Sequence, residues 1–431
     1  MSLKFSKYNK IVKLNNEYIV FNTRTLSLLL FEQKFIDMVE NDDIKSFVDS
    51  FKPEEVDMLI ENGIILESDI DELKIIKDEY WFNKYTDETL NISILTTLAC
   101  NFACPYCFET RRNVKITPKI ENAIFEFIKE QSVNKKFVHV DWYGGEPLLN
   151  YDSIKSLSQK LIKLSVERGF TYYSSITTNG YLLNKEKIDE LVKYNLRSAQ
   201  ITLDGPKEIH DKMRPLINQE GTYDTIINNI RYASQFITIN LRVNINAENH
   251  LKIDGLLDEI KNIPNLNLAI KAIVPASYKE YNKDVLSAQD YANIVINKYK
   301  YAQSLGINTA IDNVFEGSMH RYCIVDSDSQ FIISPTGKIF KCGESYADDE
   351  KGIIGGLDEN GKIVIDDQRK PFWDKDPFSF EECKNCILLP LCLGGCQMKR
   401  LIKKVEPCSP EYKYSLDELI KIYYNLQNSE G

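Results

Sequence analysis

The stretch Cys100-Asn101-Phe102-Ala103-Cys104-Pro105-Tyr106-Cys107 decides how the rest of the chain is read. Its cysteines follow a C-x3-C-x2-C spacing. Three thiolates on one short loop suit three irons of a cubane iron–sulfur cluster, which leaves the fourth iron without a protein ligand. An iron with an open position binds and activates a small molecule, whereas a fully ligated cluster mainly passes electrons. A structural zinc site is the competing reading. It asks for a fourth ligand close by in paired C-x2-C form, and no further cysteine occurs before Cys323.

Outward from this loop, strand-like and helix-like stretches alternate. Phe137-Val138-His139-Val140 reads as a strand leading into Trp142-Tyr143-Gly144-Gly145-Glu146-Pro147. The two glycines let the backbone come close to a ligand. Ser174-Ser175-Ile176-Thr177-Thr178-Asn179-Gly180 reads as a strand ending in a Thr-Asn-Gly turn. Ala199-Gln200-Ile201-Thr202-Leu203-Asp204-Gly205-Pro206 reads as the next, followed by His210-Asp211 and Arg214. Asn240-Leu241-Arg242-Val243-Asn244-Ile245 is a fifth. Between them, Ile120, Ala123, Ile124 and Phe127 mark one face of a helix over 118–131. The stretches 154–165, 185–194, 223–234, 254–262 and 290–305 are patterned alike. This alternation predicts a parallel α/β fold, with the site at the C-terminal strand ends.

The motif set, in this order, resembles the radical S-adenosylmethionine (SAM) enzymes. The resemblance implies a partial (β/α)6 barrel in which Cys100, Cys104 and Cys107 hold a [4Fe-4S] cluster whose open iron chelates SAM. Reduction then cleaves SAM to methionine and a 5′-deoxyadenosyl radical. It also implies a place near the adenine for Tyr106. The SAM ammonium falls to Gly144, Gly145, Glu146 and Pro147, and further cofactor contacts to Thr177 and Asn179. Thr202 and Arg242 would contact the ribose and carboxylate, and Arg suits bidentate carboxylate recognition. Many relatives carry Ser at the Thr202 position, so the hydroxyl is kept.

Seven cysteines remain: Cys323, Cys342, Cys383, Cys386, Cys392, Cys396 and Cys408. Seven exceed the needs of one zinc, and disulfides belong to secreted chains. Their order resembles the SPASM domain, a C-terminal extension that holds two auxiliary [4Fe-4S] clusters. By that resemblance Cys383, Cys386, Cys392 and Cys408 ligate the outer cluster, and Cys323, Cys342 and Cys396 the inner one. Three clusters then use all ten cysteines. The inner cluster is left with an iron open to a substrate thiolate, unless Glu344 or His320 fills the position.

The chain has 431 residues, room for two or three domains. Its net charge of −10 argues against generic nucleic-acid binding. The N-terminus has no apolar signal core and no apolar run reaches membrane length, so a cytoplasmic protein without a membrane partner is expected. Three segments are expected: 1–85, 86–310 and 311–431.

The first segment holds Lys10-Ile11-Val12-Lys13-Leu14 and Tyr18-Ile19-Val20-Phe21-Asn22-Thr23, joined at Asn15-Asn16 as a hairpin. The stretch 26–40 reads as helical. Pro53-Glu54-Glu55 opens another helix, Gly63 closes it, and Ile64-Ile65-Leu66 reads as a short strand. A hairpin with three helices resembles the winged-helix recognition element of ribosomal-peptide maturases, which adds a leader peptide as an extra strand. The resemblances together imply a maturase of a ribosomal precursor peptide, fed electrons by a reductant such as flavodoxin or ferredoxin, that forms a thioether from a substrate cysteine as sactipeptide and ranthipeptide maturases do. An anaerobic sulfatase maturase that makes formylglycine is the rival. Those enzymes carry an aspartate base directly after the cysteine matching Cys342, where this chain has Gly343. A non-catalytic iron–sulfur carrier is the third reading, and it has no use for a Gly-Gly-Glu-Pro turn beside an open-site loop.

Overall fold

A computed structural model of the chain describes residues 2–86, 88–273, 284–311, 315, 323–343, 352–366 and 376–429. The residues gather into two compact units. One comprises 1–85, 311–322 and 376–431; the other comprises 86–310 and 323–375. The three expected segments are therefore redistributed: the two chain ends share one unit, and part of the third segment joins the barrel strands.

In the first unit, β1 (Leu3–Phe5), β2 (Asn9–Leu14), β3 (Glu17–Asn22), β4 (Leu28–Phe31) and β5 (Ile65–Glu67) accompany α1 (Gln33–Glu40), α2 (Ile44–Asp49), α3 (Pro53–Glu61) and α4 (Glu72–Thr86). β2 and β3 form the expected hairpin, with Leu14 opposite Glu17 and Asn15 at φ +54°. The expected helix over 26–40 is half wrong. Leu28–Phe31 is a strand paired antiparallel to β3, and the helix starts only at Gln33. A short apolar run fits strand or helix equally by pattern; here pairing with β3 decides, and it places Phe31 in the core with Val20, Ile36, Phe47 and Leu59. Pro53 and Gly63 bracket α3 as expected: Glu55 accepts the Lys52 N–H at 2.8 Å, and Gly63 takes φ +71°.

The two chain ends share a hydrophobic core. Tyr8, Ile76 and Tyr80 pack with Phe378, Leu389 and Leu393. The Phe21 ring lies 4.8 Å from Phe315, and Thr23 Oγ1 donates to the Ile387 carbonyl at 2.6 Å. Deleting 1–85 thus uncovers large apolar side chains, each worth about 1.5–3 kcal/mol of burial. Limited proteolysis of the deletion variant is expected to cut rapidly within 376–429. Full protection of that segment would refute the shared core.

The second unit alternates β6 (Thr89–Thr97), α5 (Pro118–Gln131), β7 (Phe137–Gly144), α6 (Tyr151–Arg168), β8 (Thr171–Thr178), α7 (Lys185–Lys193), β9 (Leu196–Thr202), α8 (Lys207–Met213), α9 (Tyr223–Ala233), β10 (Thr238–Ile245), α10 (Ile253–Ile260), β11 (Leu266–Ala272) and α11 (Ala288–Ser304). After β12 (Asn308–Thr309) come β13 (Gln330–Ile333), β14 (Lys338–Phe340), β15 (Ile353–Leu357) and β16 (Ile363–Ile365). All lie in one eleven-stranded sheet ordered β12-β11-β10-β9-β8-β7-β6-β13-β14-β15-β16. β6 to β12 run parallel to their neighbours, β13 joins parallel to β6, and β14 to β16 are antiparallel. The expected strand–helix alternation is present.

The parallel strands alternate in a telling way. Ile92, Val140, Trp142, Ile176, Ile201, Leu241 and Ile270 are all but fully buried, while the side chains between them are polar and half-buried: Ser93, His139, Asp141, Ser175, Thr177, Gln200, Asn240 and Arg242. Parallel sheets covered on both faces read as continuous apolar runs. Here only one face is packed, and the other is a polar wall. Among the described residues no helix is long and apolar enough to cross a membrane.

Candidate active site

The cysteine loop leaves the end of β6 and is fastened on three sides. Leu98 N–H donates to the Val114 carbonyl at 2.8 Å. From the end of β7, Gly145 and Glu146 donate their N–H groups to the carbonyls of Thr97 and Ala99 at 3.0 and 2.9 Å. From beyond α8, Pro215 accepts the Ala103 N–H at 2.8 Å, and Ile217 donates to the Asn101 carbonyl at 3.1 Å. Phe102 is buried, and Cys100, Cys104 and Cys107 are half-buried.

Burial pushes the Cys100 thiol up to about 12 and Cys104 to about 11. Thiolates in such a place need a compensating cation, and iron supplies it. Among the described residues no three Cys, His, Asp or Glu side chains converge on a single metal ion. A cubane offers each thiolate its own iron, and three thiols on one loop are the donor set it would use.

The room made by the glycines is taken up by this loop. A Cβ on Gly144, at φ +127°, would stand 2.2 Å from the Thr97 carbonyl oxygen, and one on Gly145 would stand 2.5 Å from that of Ala99. Glu146 is fully buried. Its carboxylate accepts from Leu148 N at 3.0 Å, Asn179 N at 2.9 Å and Thr178 Oγ1 at 2.8 Å. It ties the ends of β7 and β8 together. Pro147 accepts from Thr96 Oγ1 at 3.0 Å. Asn179 Nδ2 reaches Asn101 Oδ1 at 2.8 Å. Thr177 faces away from this group and bonds to Asp141.

A second group is centred on Tyr106. Its hydroxyl donates to Asp204 Oδ2 and accepts from Arg214 Nη1 at 2.7 Å. Asn244 N–H donates to Asp204 Oδ1 at 2.9 Å, and Arg242 Nε donates to Asn244 Oδ1 at 2.8 Å. Arg242 stands beside Thr202 in the β9–β10 ladder. Among the described residues the terminal nitrogens of Arg242 make no hydrogen bond, and such a fork suits a carboxylate. Sequence reasoning missed Asp204 and Asn244. An acid at a strand end before Gly205 was the available signal.

It also missed a half-buried string on the polar wall. His139 bridges Asn91 Oδ1 at 3.1 Å and Ser175 Oγ at 2.9 Å, and Ser175 donates to Asp141 Oδ1 at 2.7 Å. Burial lowers His139 from 6.5 to about 4 and raises Asp141 from 3.8 to about 6. The signs oppose. Folded Asp141 holds its proton more tightly than the unfolded chain does, so its contribution falls as pH rises from about 4 to 6. Folded His139 resists protonation, so its contribution is lost as pH falls from about 6.5 to 4. Asp141→Asn is expected to stabilise by about 2 kcal/mol at pH 7.5 and to steepen acid destabilisation; His139→Gln is expected to flatten it. Urea unfolding at pH 7.5 and 4.5 checks this. Both variants shifting the same way relative to the parent would refute it.

The other cysteines divide between the units. Cys323 is exposed and Cys342 half-buried, both in the unit with the barrel strands. In the other unit, Cys386 N–H donates to the Cys383 carbonyl at 3.0 Å, and Cys396 N–H to that of Pro407 at 2.9 Å. Burial and the Glu406 carboxylate push Cys408 up to about 12, with Cys392 close enough to add to the effect. Glu344 and His320 lie outside the described residues.

Residues 94–260 match the radical SAM superfamily. The chain is 26% identical over 365 residues to a cysteine-type anaerobic sulfatase-maturating enzyme of Clostridium perfringens, covering 76% of this chain and 96% of that one. It is 24% identical over 437 residues to the radical SAM cyclopropyl synthase TigE of Paramaledivibacter caminithermalis, covering 91% and 85%. Among solved structures, anSMEcpe with bound AdoMet and Cp18Cys peptide aligns at TM-score 0.63 and 19% identity, covering 78% of this chain and 99% of that one. SuiB of Streptococcus suis bound to precursor peptide SuiA aligns at TM-score 0.56 and 17% identity, covering 95% and 98%. With strand–helix alternation, a fastened three-cysteine loop and these likenesses agreeing, residues 94–260 form a radical SAM domain, with homologues among sulfatase maturases and other radical SAM enzymes.

Proposed function

We propose that the chain is a radical SAM maturase acting on a ribosomally made precursor peptide, joining a substrate cysteine to a peptide carbon as a thioether. One observation carries the peptide reading: the likeness to SuiB, solved with its precursor peptide, spans 95% of the chain, while that to anSMEcpe spans 78%. Cys100, Cys104 and Cys107 would hold the first cluster. Gly144 to Pro147, Asn179, Thr202 and Arg242 would surround SAM, with Arg242 offering its free fork to the carboxylate. Cys383, Cys386, Cys392 and Cys408 would hold one auxiliary cluster, and Cys323, Cys342 and Cys396 another. Bound together, reduced cluster and SAM supply a radical that takes one hydrogen atom from the substrate. Thioether formation removes a second hydrogen, as the thiol proton and one electron, and an oxidised cluster held by the auxiliary cysteines would accept that electron. The sheet β2-β3-β4 would receive the leader.

The sulfatase-maturase reading keeps support from the sequence relatives. Gly343 after Cys342 speaks against it. One experiment separates the two. The full chain is reconstituted without oxygen and given SAM, a reductant and each short cysteine-containing peptide found by reading the neighbouring genes. A product two hydrogens lighter per crosslink, resistant to thiol alkylation and absent with a Cys→Ser peptide, is the expected result. Conversion of cysteine to an aldehyde supports the rival. Absence of 5′-deoxyadenosine would sink both.

A further inference from the structure

Arg214 is a strongly buried cation beside the cysteine loop. Its side chain is 12% exposed, and the Asp204 side chain is 0% exposed. Nη1 donates to Tyr106 at 2.7 Å and stands 4.0 Å from Asp204 Oδ2, and the guanidinium lies 5.7 Å from the Phe102 ring centre. Nε is buried with no hydrogen-bond partner, so the charge is incompletely compensated. Phe102 and Tyr106 both belong to the loop between Cys100 and Cys107.

The surrounding sequence delivers that charge. Asp211 Oδ1 caps α9 by accepting from Thr222 N and Tyr223 N at 2.7 and 2.9 Å. His210 Nε2 pairs with Thr222 Oγ1 at 3.1 Å, and Thr222 Oγ1 donates to the Arg214 carbonyl at 2.8 Å. Pro215 and Ile217 then pair with the loop backbone. His210, Asp211 and Arg214 thus form a bracket that aims a cation at the cysteines. Arg111 also touches the loop, donating to the Phe102 carbonyl at 2.9 Å, but it is exposed and water screens it.

We propose that Arg214, positioned by Tyr106 and Asp204, is the buried cation that sets the reduction potential of a cluster held by Cys100, Cys104 and Cys107. This rests on the cluster reading above. Reduction adds one negative charge to the site. A fixed cation in a water-poor surrounding stabilises the reduced form, and a fixed anion disfavours it. Arg214 and Asp204 therefore act in opposite directions on one quantity, which a loss of packing would not do.

The test is a redox titration of the full, reconstituted chain, following the reduced-cluster spin signal that changes on adding SAM. Arg214→Gln is expected to lower the reduced-to-oxidised ratio at fixed potential about tenfold, a fall of about 59 mV for one electron. Asp204→Asn is expected to raise it, and Arg214→Lys to stay near the parent. If Arg214→Gln takes up no iron, the other two variants decide. An unmoved or lowered potential in Asp204→Asn overturns the inference. So does an unmoved potential in iron-replete Arg214→Gln, and so does loss of iron from Arg214→Lys, which would leave Arg214 a purely architectural role. Absence of any SAM-responsive signal in the parent protein would instead overturn the cluster reading itself.

Discussion

Replacing Cys100, Cys104 and Cys107 together by alanine is expected to reduce 5′-deoxyadenosine formation from SAM to the background without protein. Iron is expected to fall by about one cubane's worth, roughly four atoms per chain, because three thiolate ligands are lost at once. Global folding should survive. The loop and its root are held by backbone bonds to Val114, Gly145, Glu146, Pro215 and Ile217, none of which uses a thiol. Unchanged far-ultraviolet circular dichroism beside lost cleavage is the result that supports the assignment. Cleavage persisting above background would refute it, and collapse of the fold would show the thiols to be structural.

Gly144→Ala is expected to produce nearly as large a loss with every cysteine in place. A methyl group there meets the Thr97 carbonyl oxygen at 2.2 Å in a backbone conformation, φ +127°, that side chains rarely adopt. Neither atom belongs to a flexible side chain, so the end of β7 must separate from the root of the cysteine loop. Strain of this kind costs about 1–3 kcal/mol, and the clash adds to it. Thermal unfolding and iron content measure the effect: a lowered midpoint together with lowered iron is expected. Gly169→Ala is the control. It also has positive φ, +77°, but a Cβ there meets nothing within 4 Å, so a cost near 1 kcal/mol and full iron are expected. Equal behaviour of the two variants would remove the close approach at Thr97 as the cause.

What the sequence made legible was local. The spacing of three cysteines, the helical faces and the turn at Asn15-Asn16 are properties of neighbouring residues, and the structure agrees with the strands and helices they imply. What it hid was long-range. Leu28–Phe31 carries no sign that β3 is waiting for it. The joining of β13 to β6, with Gln330 beside Asn91, is invisible to any window of periodicity. The sharing of one core by Tyr8 and Leu389 is equally so. Within the site, Gly144 and Gly145 were read as making way for a ligand, whereas their contacts are with Thr97 and Ala99. Both readings ask the same thing of the residue type, an absent side chain. Arg214 could be seen as part of a motif, but its target Tyr106 lies in another loop and is shown only by the fold.

The place of β13 beside β6 has a consequence for how the protein is made. Gln330 to Ile333 pair with Asn91 to Ile94, yet they leave the ribosome far later. Until then the strand that roots the cysteine loop is the outer strand of a growing sheet, with one row of amide and carbonyl groups bare. Such edges recruit other strands and promote aggregation. A chain stalled or cut before residue 330 would retain that bare edge. The loop proposed to carry the first cluster therefore stands on scaffolding that is translated early and completed late.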